Sequence, residues 1–362
     1  MVIFSECKTK NAGLIGVVKL CSPGTLNVLT FDMVAQMKAQ LEKWNRNDNI
    51  LFILIHGQGK SFCAGGDVVR LRHSSREKDR YRERFFSTEY GLDYLLHTYS
   101  KPVLCFAQGY VLGGGVGIFM AASHKITTLT TRCAMPEVKI GFYPDVGASW
   151  FLGRIRNNLG LFIGFSGCEM LSGDMDFLAI SDYVVDLHKG EDLLEMMTDR
   201  DWSADRLVLE KELLTLLSTQ QIDKSLVPAS QISMYCQEID GALERADSAA
   251  ALYQNLQAIS VNNEFFASVK KNLEYASPFS LSMVFQQHTF GTRLSLEDVF
   301  RFEFFLSMHF SLERDFDEGV RALLVDKDKS PKWQFPDLES VPDTYISEFL
   351  YRVEKDAGIF FN

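Results

Sequence analysis

Short apolar runs in the first half of the chain predict buried β-strands. Residues 14–20 are rich in β-branched side chains, and residues 50–55 are apolar at every position. A run in which apolar and polar positions do not alternate is typical of a strand covered on both faces. Residues 103–107 and 124–131 also have strand-like composition. These segments predict the strands of a sheet-containing core.

Helical periodicity separates these strands and then dominates the chain. From Thr30, apolar residues recur at helical spacing, and residues 113–122 are small and compatible with a helix. Strands that alternate with helices predict an α/β fold. The region 1–204 is therefore predicted to be the core, and 205–362 a helical C-terminal region. Its helical patterns cover residues 207–217, 242–256, 265–273, 296–310 and 318–324.

Composition excludes several kinds of partner. The 362 residues carry a net charge of −10, which argues against nucleic acid, because affinity for nucleic acid depends on neutralised phosphates. No apolar run reaches the roughly 18 residues that predict a membrane span. The seven cysteines and seven histidines lack metal-ligand spacing, so we predict reduced thiols and no metal site. Residues 1–8 show neither a signal-peptide nor a transit-peptide pattern.

Two glycine-rich turns, at residues 59–68 and 109–117, follow predicted strands. Glycine lets backbone N–H groups come close to a ligand, and a helix that begins there favours an anion or a developing oxyanion. The second turn has neither the Gly-Lys-Ser/Thr of a P-loop nor the spacing of a dinucleotide fingerprint. Each turn alone is equally explained as a tight connection. The pair suggests two donors for one carbonyl oxygen.

Two carboxylates, Glu137 and Asp145, lie eight residues apart downstream of these turns, and each follows a proline. A positioned carboxylate pair suits general acid–base or nucleophilic chemistry. The alternative is structural: Glu137 would lie in the first turn of a helix, and Asp145 would cap a helix that begins at Val146. The glycine turns upstream favour the chemical interpretation.

A basic run at residues 70–84 holds seven Lys or Arg residues against three acids. It could attract the phosphates of a ligand, or it could be a solvated helix with ion pairs along its surface. Glu89 follows as a lone acid among aromatic residues. It becomes a candidate only if the fold brings it near the other acids.

Together these motifs resemble the crotonase (enoyl-CoA hydratase/isomerase) superfamily and, within it, the 3-hydroxyisobutyryl-CoA hydrolases. The resemblance rests on Ser61-Phe-Cys-Ala-Gly-Gly-Asp67, Gly113-Gly-Gly-Val-Gly117 and residues 135–147, and on a C-terminal block at residues 315–333. It implies a crotonase-like spiral of ββα turns, with the helical C-terminal region covering the active site. It also implies an acyl-CoA thioester as substrate and a protein that is mitochondrial or otherwise cytoplasmic. It leaves open whether the protein self-associates, as hydratases do, or whether its helical tail folds back on its own core.

The resemblance also implies roles for individual residues. Gly66 and Gly114 match the oxyanion-hole positions, and Glu137 and Asp145 match the hydrolase acids. Glu89 matches a further substrate-binding acid. The positions that meet CoA in the family correspond to Ala64, Asp67 and Val68.

Two differences from the hydratases point to the hydrolase branch. Hydratases carry a second catalytic Glu where this chain has Gly117, and usually a Gly where it has Asp145. The sequence therefore predicts hydrolysis of a short branched β-hydroxyacyl-CoA, with 3-hydroxyisobutyryl-CoA from valine breakdown as the expected substrate. Glu137 would attack the thioester or activate water, and Asp145 would accept or donate a proton.

No cofactor is expected, since CoA is part of the substrate. The alternatives are an isomerase or hydratase and a catalytically silent subunit of the same fold.

Overall fold

The computed structural model describes residues 1–11, 13–261 and 263–361. Its strands include all of the predicted ones, with a strand before the first of them. In chain order the strands are β1 (Val2–Lys8), β2 (Leu14–Leu20), β3 (Ile50–Gly57), β4 (Ser61–Cys63), β5 (Val103–Ala107), β6 (Tyr110–Leu112), β7 (His124–Thr128), β8 (Arg132–Ala134), β9 (Met170–Leu171) and β10 (Tyr183–Val185).

The helices alternate with these strands at first and then follow one another. They are α1 (Phe31–Asn45), α2 (Val68–Glu77), α3 (Tyr81–His97), α4 (Gly114–Ala121), α5 (Ala148–Phe151), α6 (Leu159–Ser166), α7 (Ser172–Phe177), α8 (Gly190–Thr198), α9 (Arg206–Gln220), α10 (Gln231–Met234), α11 (Cys236–Glu244), α12 (Ala249–Gln257), α13 (Glu264–Tyr275), α14 (Pro278–Gly291), α15 (Leu296–Phe310), α16 (Arg314–Val320) and α17 (Asp343–Ala357).

The strands form two sheets. The larger has the order β1-β2-β3-β5-β7-β10, in which β1 pairs with β2 antiparallel and the other neighbours are parallel. The smaller has the order β4-β6-β8-β9. Because β3 and β5 lie inside the larger sheet with both faces covered, their side chains are almost all buried. This explains why their sequences are continuous apolar runs rather than alternating ones.

The chain folds into two compact units, each built from separated segments. The first unit comprises Met1–Gly66, Gly91–Cys133 and Met170–Ser230, and the second comprises Asp67–Tyr90, Ala134–Glu169 and the chain from Gln231 onward. One division, at residue 204, was predicted from the change to helical patterns in the sequence, and that division stays a prediction. Helices do dominate beyond it, as expected.

Each unit has its own core. In the first unit, one face of the larger sheet packs against α8 and α9, and the cluster includes Phe52, Phe106, Leu193 and Leu213. In the second unit, an aromatic cluster centres on Phe142, whose ring lies 5.6 Å from Phe310 and 5.3 Å from Phe316. Apolar burial on this scale supplies most of the driving force for folding. The same packing holds the next residue, Tyr143, whose ring lies 5.1 Å from that of Phe310.

Two helical predictions were wrong in detail. Residues 242–256 were predicted as one helix, but the structure has α11 and α12, because Ser248 begins a new helix by accepting a hydrogen bond from the Ala251 N–H. The pattern at residues 318–324 belongs to α16 and a π-helical turn, Arg321–Val325. The helices α14 and α17 were not predicted.

Candidate active site

The two glycine turns lie against each other in the first unit. Gly65 follows β4 with φ of +99°, and a Cβ atom there would lie 3.3 Å from the Leu112 carbonyl oxygen and 3.7 Å from the Gly114 nitrogen. A Cβ on Gly115 would come within 2.7 Å of the Cys63 carbonyl oxygen. Only glycines allow this approach of one backbone to the other. The two turns are therefore adjacent in the fold, and their role as two donors to one carbonyl oxygen stays a prediction.

Backbone hydrogen bonds fix the first turn next to Gly66. The Leu29 N–H donates to the Gly65 carbonyl at 2.8 Å, and Leu29 pairs with Gly66 in an isolated parallel bridge. The Ala64 N–H donates to the Leu26 carbonyl at 3.0 Å, so the expected CoA-contacting residue Ala64 is also held through its backbone. Gly114 is the first residue of α4, where its N–H belongs to the unpaired end of the helix. Both predicted oxyanion donors are thus on well-fixed backbone.

Asn27 is a buried residue that the sequence analysis missed. Its side-chain nitrogen donates to the carbonyls of Ser61 and Phe62 at 2.9 and 3.1 Å, and its side-chain oxygen accepts from the Ser22 N–H at 2.7 Å. A lone Asn after a Ser-Pro-Gly turn gave no signal beyond turn chemistry. In the structure it connects that turn to the strand that leads to Gly66.

Glu137 lies in the second unit, at the start of the 3₁₀ helix Glu137–Ile140, as the structural alternative predicted. Its side chain is only 6% exposed, and its Oε2 has no hydrogen-bond partner among the described residues. Burial, and then the charge of Asp145, raise the pKa of Glu137 well above its usual value. The short helix is fixed by the Ser277 N–H, which donates to the Val138 carbonyl at 2.9 Å. A position in a first helical turn is therefore compatible with a chemical role.

Asp145 lies in the same unit and does not cap a helix with its side chain. The next helix, α5, begins only at Ala148, and its N-cap is Gly147, which makes no side-chain cap bond. The Asp145 Oδ2 instead accepts a hydrogen bond from the Tyr90 hydroxyl at 2.6 Å. Burial raises the pKa of Asp145 to about 6, and the bond from Tyr90 opposes that rise. The capping alternative for Asp145 was wrong, because its carboxylate faces the protein interior.

The chain on both sides of Asp145 is held by buried polar side chains that the sequence analysis also missed. The Gln287 side chain donates to the Pro144 carbonyl at 2.5 Å. After Asp145, the Gly147 N–H donates to Glu303 Oε2 at 2.7 Å and the Ser149 N–H to Glu303 Oε1 at 2.9 Å. Glu303 is completely buried, and burial raises its pKa to about 8 against the effect of these donors. Both side chains lie more than 130 residues away in sequence, so no local motif could reveal them.

Three further predicted residues lie near the start of α2 or on α3. Asp67 is the N-cap of α2, its carboxylate accepting from the Arg70 N–H at 3.0 Å, and Val68 is the first residue of that helix. The predicted passage from strand through glycines into a helix is confirmed here. Glu89 is buried on α3 next to Tyr90, and its charge contributes to raising the pKa of Tyr90. The roles of all three toward a substrate stay predictions.

Several arginines of the basic run form ion pairs with carboxylates of the protein. The Arg76 guanidinium forms two 2.6 Å hydrogen bonds with the Asp317 carboxylate, and Arg72 also bonds to Asp317. Arg70 pairs with Asp79. The run folds as the end of one helix and the start of another, and several of its cations already neutralise carboxylates. This favours the interpretation as a charged helical surface over that of a phosphate site.

Neither a metal centre nor a membrane span was found in the described part of the chain. No group of three or more His, Cys, Asp or Glu side chains is arranged to hold a metal ion there. Within the same residues, no helix has the length and apolar character needed to cross a membrane.

This chain matches a known protein family along most of its length. The family model described as enoyl-CoA hydratase/isomerase matches residues 15–350 of this chain. The chain belongs to this family. The predicted membership is therefore confirmed, and it covers both units.

Similar proteins carry more specific names. The 3-hydroxyisobutyryl-CoA hydrolase, mitochondrial, of Danio rerio is 33% identical over 346 residues, covering 95% of this chain and 89% of that protein. The protein of the same name from Homo sapiens is 32% identical and covers 93% of this chain and 86% of its own length. These names agree with the hydrolase branch predicted from Asp145 and Gly117.

Solved structures confirm the crotonase-like α/β fold. A carnitinyl-CoA dehydratase from Mycobacterium thermoresistibile superposes with a TM-score of 0.82 at 29% identity and covers 96% of this chain and 95% of its own. An enoyl-CoA hydratase from Rhodobacter sphaeroides gives a TM-score of 0.80 at 26% identity, with 96% of each chain covered. Dehydratases and hydratases share the fold with this chain, so the fold alone does not distinguish hydrolysis from these reactions.

Proposed function

We propose that this protein hydrolyses a short branched β-hydroxyacyl-CoA thioester, with 3-hydroxyisobutyryl-CoA as the preferred substrate. The names of the relatives from Danio rerio and Homo sapiens support this substrate, since each covers more than nine tenths of the chain. The observation that carries the chemistry is the buried pair of acids, Glu137 and Asp145, whose surroundings differ. Pairs of carboxyl groups held in unlike environments are typical of sites that need one acid and one base at the same pH.

Hydrogen bonding decides which of the two acids carries the negative charge. Asp145 receives hydrogen bonds from Tyr90 and from its own backbone, whereas Glu137 receives one from its own backbone only, and its Oε2 lies buried without a donor among the described residues. Bonds to the ionised form stabilise that form, and burial with fewer of them favours the neutral form. The resting pair at neutral pH is therefore Asp145 as carboxylate and Glu137 as carboxylic acid.

The roles in hydrolysis follow from these charge states. Asp145 takes a proton from a water molecule, whose oxygen attacks the thioester carbonyl carbon. The N–H groups of Gly66 and Gly114 are assigned to the oxyanion that forms, on the strength of the family resemblance. The carbon–sulfur bond then breaks, and Glu137 gives its proton to the departing sulfur, which leaves as CoA thiol. Transfer of the proton held by Asp145 back to Glu137 restores the pair.

An alternative route uses Glu137 as a nucleophile that forms an acyl-enzyme anhydride. Single turnover in oxygen-18 water distinguishes the two routes by mass spectrometry of the peptide that contains Glu137. The acid–base route predicts that the label enters the hydroxyacid product and not Glu137. Label in Glu137 would overturn the assignment and support the anhydride.

The remaining family roles complete the proposal. Ala64, Asp67 and Val68 are assigned to the CoA moiety and Glu89 to the acyl group. No cofactor is required, because water and the two acids supply every atom and proton that the reaction moves. A mitochondrial location is proposed from the names of the relatives. Imaging the full-length native protein with a C-terminal tag would test it, and signal confined to the cytosol would contradict it.

The experiment that tests the activity is release of free CoA from a panel of acyl-CoAs, followed with a thiol reagent. We expect 3-hydroxyisobutyryl-CoA to be cleaved with the highest kcat/KM, ahead of isobutyryl-CoA and acetyl-CoA. An absorbance change with crotonyl-CoA or a 3-enoyl-CoA, without thiol release, would indicate a hydratase or an isomerase. No change with any substrate would indicate a silent member of the family.

A further inference from the structure

The Asp145 carboxylate lies at the end of a chain of buried hydroxyl groups within the second unit. The Tyr90 hydroxyl lies 2.6 Å from Asp145 Oδ2 and 2.6 Å from Ser307 Oγ. The Tyr143 hydroxyl lies 2.7 Å from the same Ser307 Oγ and 3.0 Å from the Glu303 carbonyl oxygen. Tyr90, Tyr143 and Ser307 are all buried. The chain therefore has fixed partners and little access to water.

The number of hydrogens determines how this chain can be arranged. Each hydroxyl carries one hydrogen and can accept from another donor. When Asp145 is ionised, Tyr90 donates to it and Ser307 donates to Tyr90, while the single hydrogen of Tyr143 is shared between Ser307 Oγ and the Glu303 carbonyl oxygen. The Tyr90 and Ser307 hydroxyl dipoles then point toward the carboxylate, and bonds of this kind to a charged acceptor are stronger than those between neutral groups.

Aromatic packing holds the first hydroxyl in place. The Tyr90 ring lies 5.8 Å from the Phe86 ring and 6.2 Å from the Phe300 ring, between centroids. The Tyr143 ring lies 5.1 Å from the Phe310 ring. Because these rings are locked in the core of the unit, the position of the Tyr90 oxygen, and with it that of Asp145, is set by packing rather than by flexible side chains.

The titratable groups around Asp145 are acids and phenols. Glu137 and Glu303 interact with it electrostatically, as do Tyr90 and Tyr143, while Glu89 acts on Tyr90. The hydrogen bonds that favour its ionised form come from Tyr90 and from its own backbone. Burial disfavours the charge on Asp145. The Tyr90 hydroxyl is the side-chain group that opposes this effect.

We propose that Tyr90, supported by Ser307 and Tyr143, is a positioning residue that fixes the orientation of Asp145 and keeps it ionised for the attack of water. The proposal rests on the hydrolase function above. Nothing in the resemblance pointed to Tyr90, whose neighbour Glu89 was the residue singled out from sequence. The hydroxyl acts through Asp145 and not on the substrate.

The test is the Tyr90→Phe variant, which removes the hydroxyl and keeps the ring. The pH dependence of kcat/KM for CoA release from 3-hydroxyisobutyryl-CoA is measured in the variant and the wild type. Loss of a charge-assisted hydrogen bond predicts that the midpoint of the acidic limb rises by about 1 to 2 pH units. Ser307→Ala predicts a smaller rise, and Tyr143→Phe one smaller again. Tyr99→Phe is the matched control, because the Tyr99 hydroxyl donates to the Leu41 carbonyl in the first unit and its loss leaves the midpoint unchanged.

A second readout does not depend on activity. Infrared difference spectra recorded across the pH range follow the protonation of Asp145, whose band is identified by its loss in Asp145→Asn. The same upward shift in Tyr90→Phe supports the proposal even if no acyl-CoA proves to be a substrate, in which case only the proposed function fails. An unchanged midpoint in both measurements would overturn the proposal. A lower melting temperature and a lower rate at every pH, with no shift, would assign Tyr90 a purely structural role and would also overturn it.

Discussion

The sharpest stability prediction concerns Glu303, where two physical effects oppose each other. Its carboxylate accepts two backbone N–H bonds, from Gly147 and Ser149, which favour the ionised form. Its side chain is 0% exposed, and this burial favours the neutral form. Burial is the larger effect, so the pKa in the folded protein is about 8. In the unfolded chain the side chain would titrate near its ordinary value of about 4.3.

The sign of the pH dependence follows from the raised pKa. The folded protein holds the proton on Glu303 more tightly than the unfolded chain does, so this stabilisation is complete below the unfolded pKa and is lost as pH rises toward 8. Between these values one group changes the free energy of unfolding by up to about 1.4 kcal/mol per pH unit. Glu303→Gln removes the titration. It also turns an amide NH₂ toward one of two backbone N–H groups, which costs about 1–3 kcal/mol for an unsatisfied buried donor.

The two contributions give a distinctive result. By pH 5 the wild type has already lost about 1 kcal/mol of this stabilisation, so the Glu303→Gln variant is expected to be less stable than the wild type by up to about 2 kcal/mol. The difference then shrinks as pH rises, and the variant becomes the more stable protein near pH 8. Urea unfolding at unit steps from pH 5 to pH 8 measures the difference. Glu348→Gln, the same change at an exposed position of α17, is the control and should stay within about 0.5 kcal/mol of the wild type at each pH.

Two outcomes would refute the reasoning about Glu303. A stability difference that does not change with pH would mean that the pKa of Glu303 is the same in the folded and unfolded states. A difference that grows with pH would mean that the two N–H donors outweigh burial and hold Glu303 ionised.

Three other predictions test the geometry. Gly141→Ala should destabilise the protein by about 1–3 kcal/mol or more in urea unfolding, because Gly141 has φ of +68° and a Cβ there would lie 2.1 Å from the Asp315 carbonyl oxygen. Wild-type stability in this variant would show that the backbone of Asp315 does not lie this close to Gly141. Asn27→Ala should lower the free energy of unfolding by about 1–3 kcal/mol, because the carbonyls of Ser61 and Phe62 lose their hydrogen-bond donor. It should also lower kcat more than it raises KM, since the strand that leads to the oxyanion turn is no longer held, and an unchanged kcat would count against this role of Asn27. Arg76→Ala should change the KM for acyl-CoA by less than about twofold and the free energy of unfolding by about 0.2–1 kcal/mol, because Arg76 pairs with Asp317 at the surface. A tenfold rise in KM would instead indicate that Arg76 binds a phosphate of CoA.

The parts of the fold that could be predicted from sequence are those with a strong local pattern. The strand β3 was evident because residues covered on both faces form a continuous apolar run, and α1 because its buried residues recur at helical spacing. The helix α14 is buried on most sides, so its apolar positions do not form a single stripe. The break between α11 and α12 depended on Ser248, a single capping residue inside a pattern that otherwise reads as continuous.

The residues of the candidate site likewise differ in how far the sequence alone could predict them. Glu137, Asp145 and the glycine turns lie in short motifs, where proline and glycine leave a local signature. Tyr90, Glu303 and Asn27 have no such signature, because each acts on backbone or side chains distant in sequence and only the tertiary fold brings them together. The buried polar residues that support a site are therefore the ones that sequence patterns do not reveal.

The most direct test of the account compares CoA release from 3-hydroxyisobutyryl-CoA by the wild type, Glu137→Gln and Asp145→Asn. Both substitutions keep the size of the side chain and remove its acid–base function. The account predicts thiol release by the wild type, and rates lower by about 10²–10⁴-fold in each variant, since general acid and general base catalysis each contribute on that order. Wild-type rates in either variant, with both proteins folded, would contradict the account.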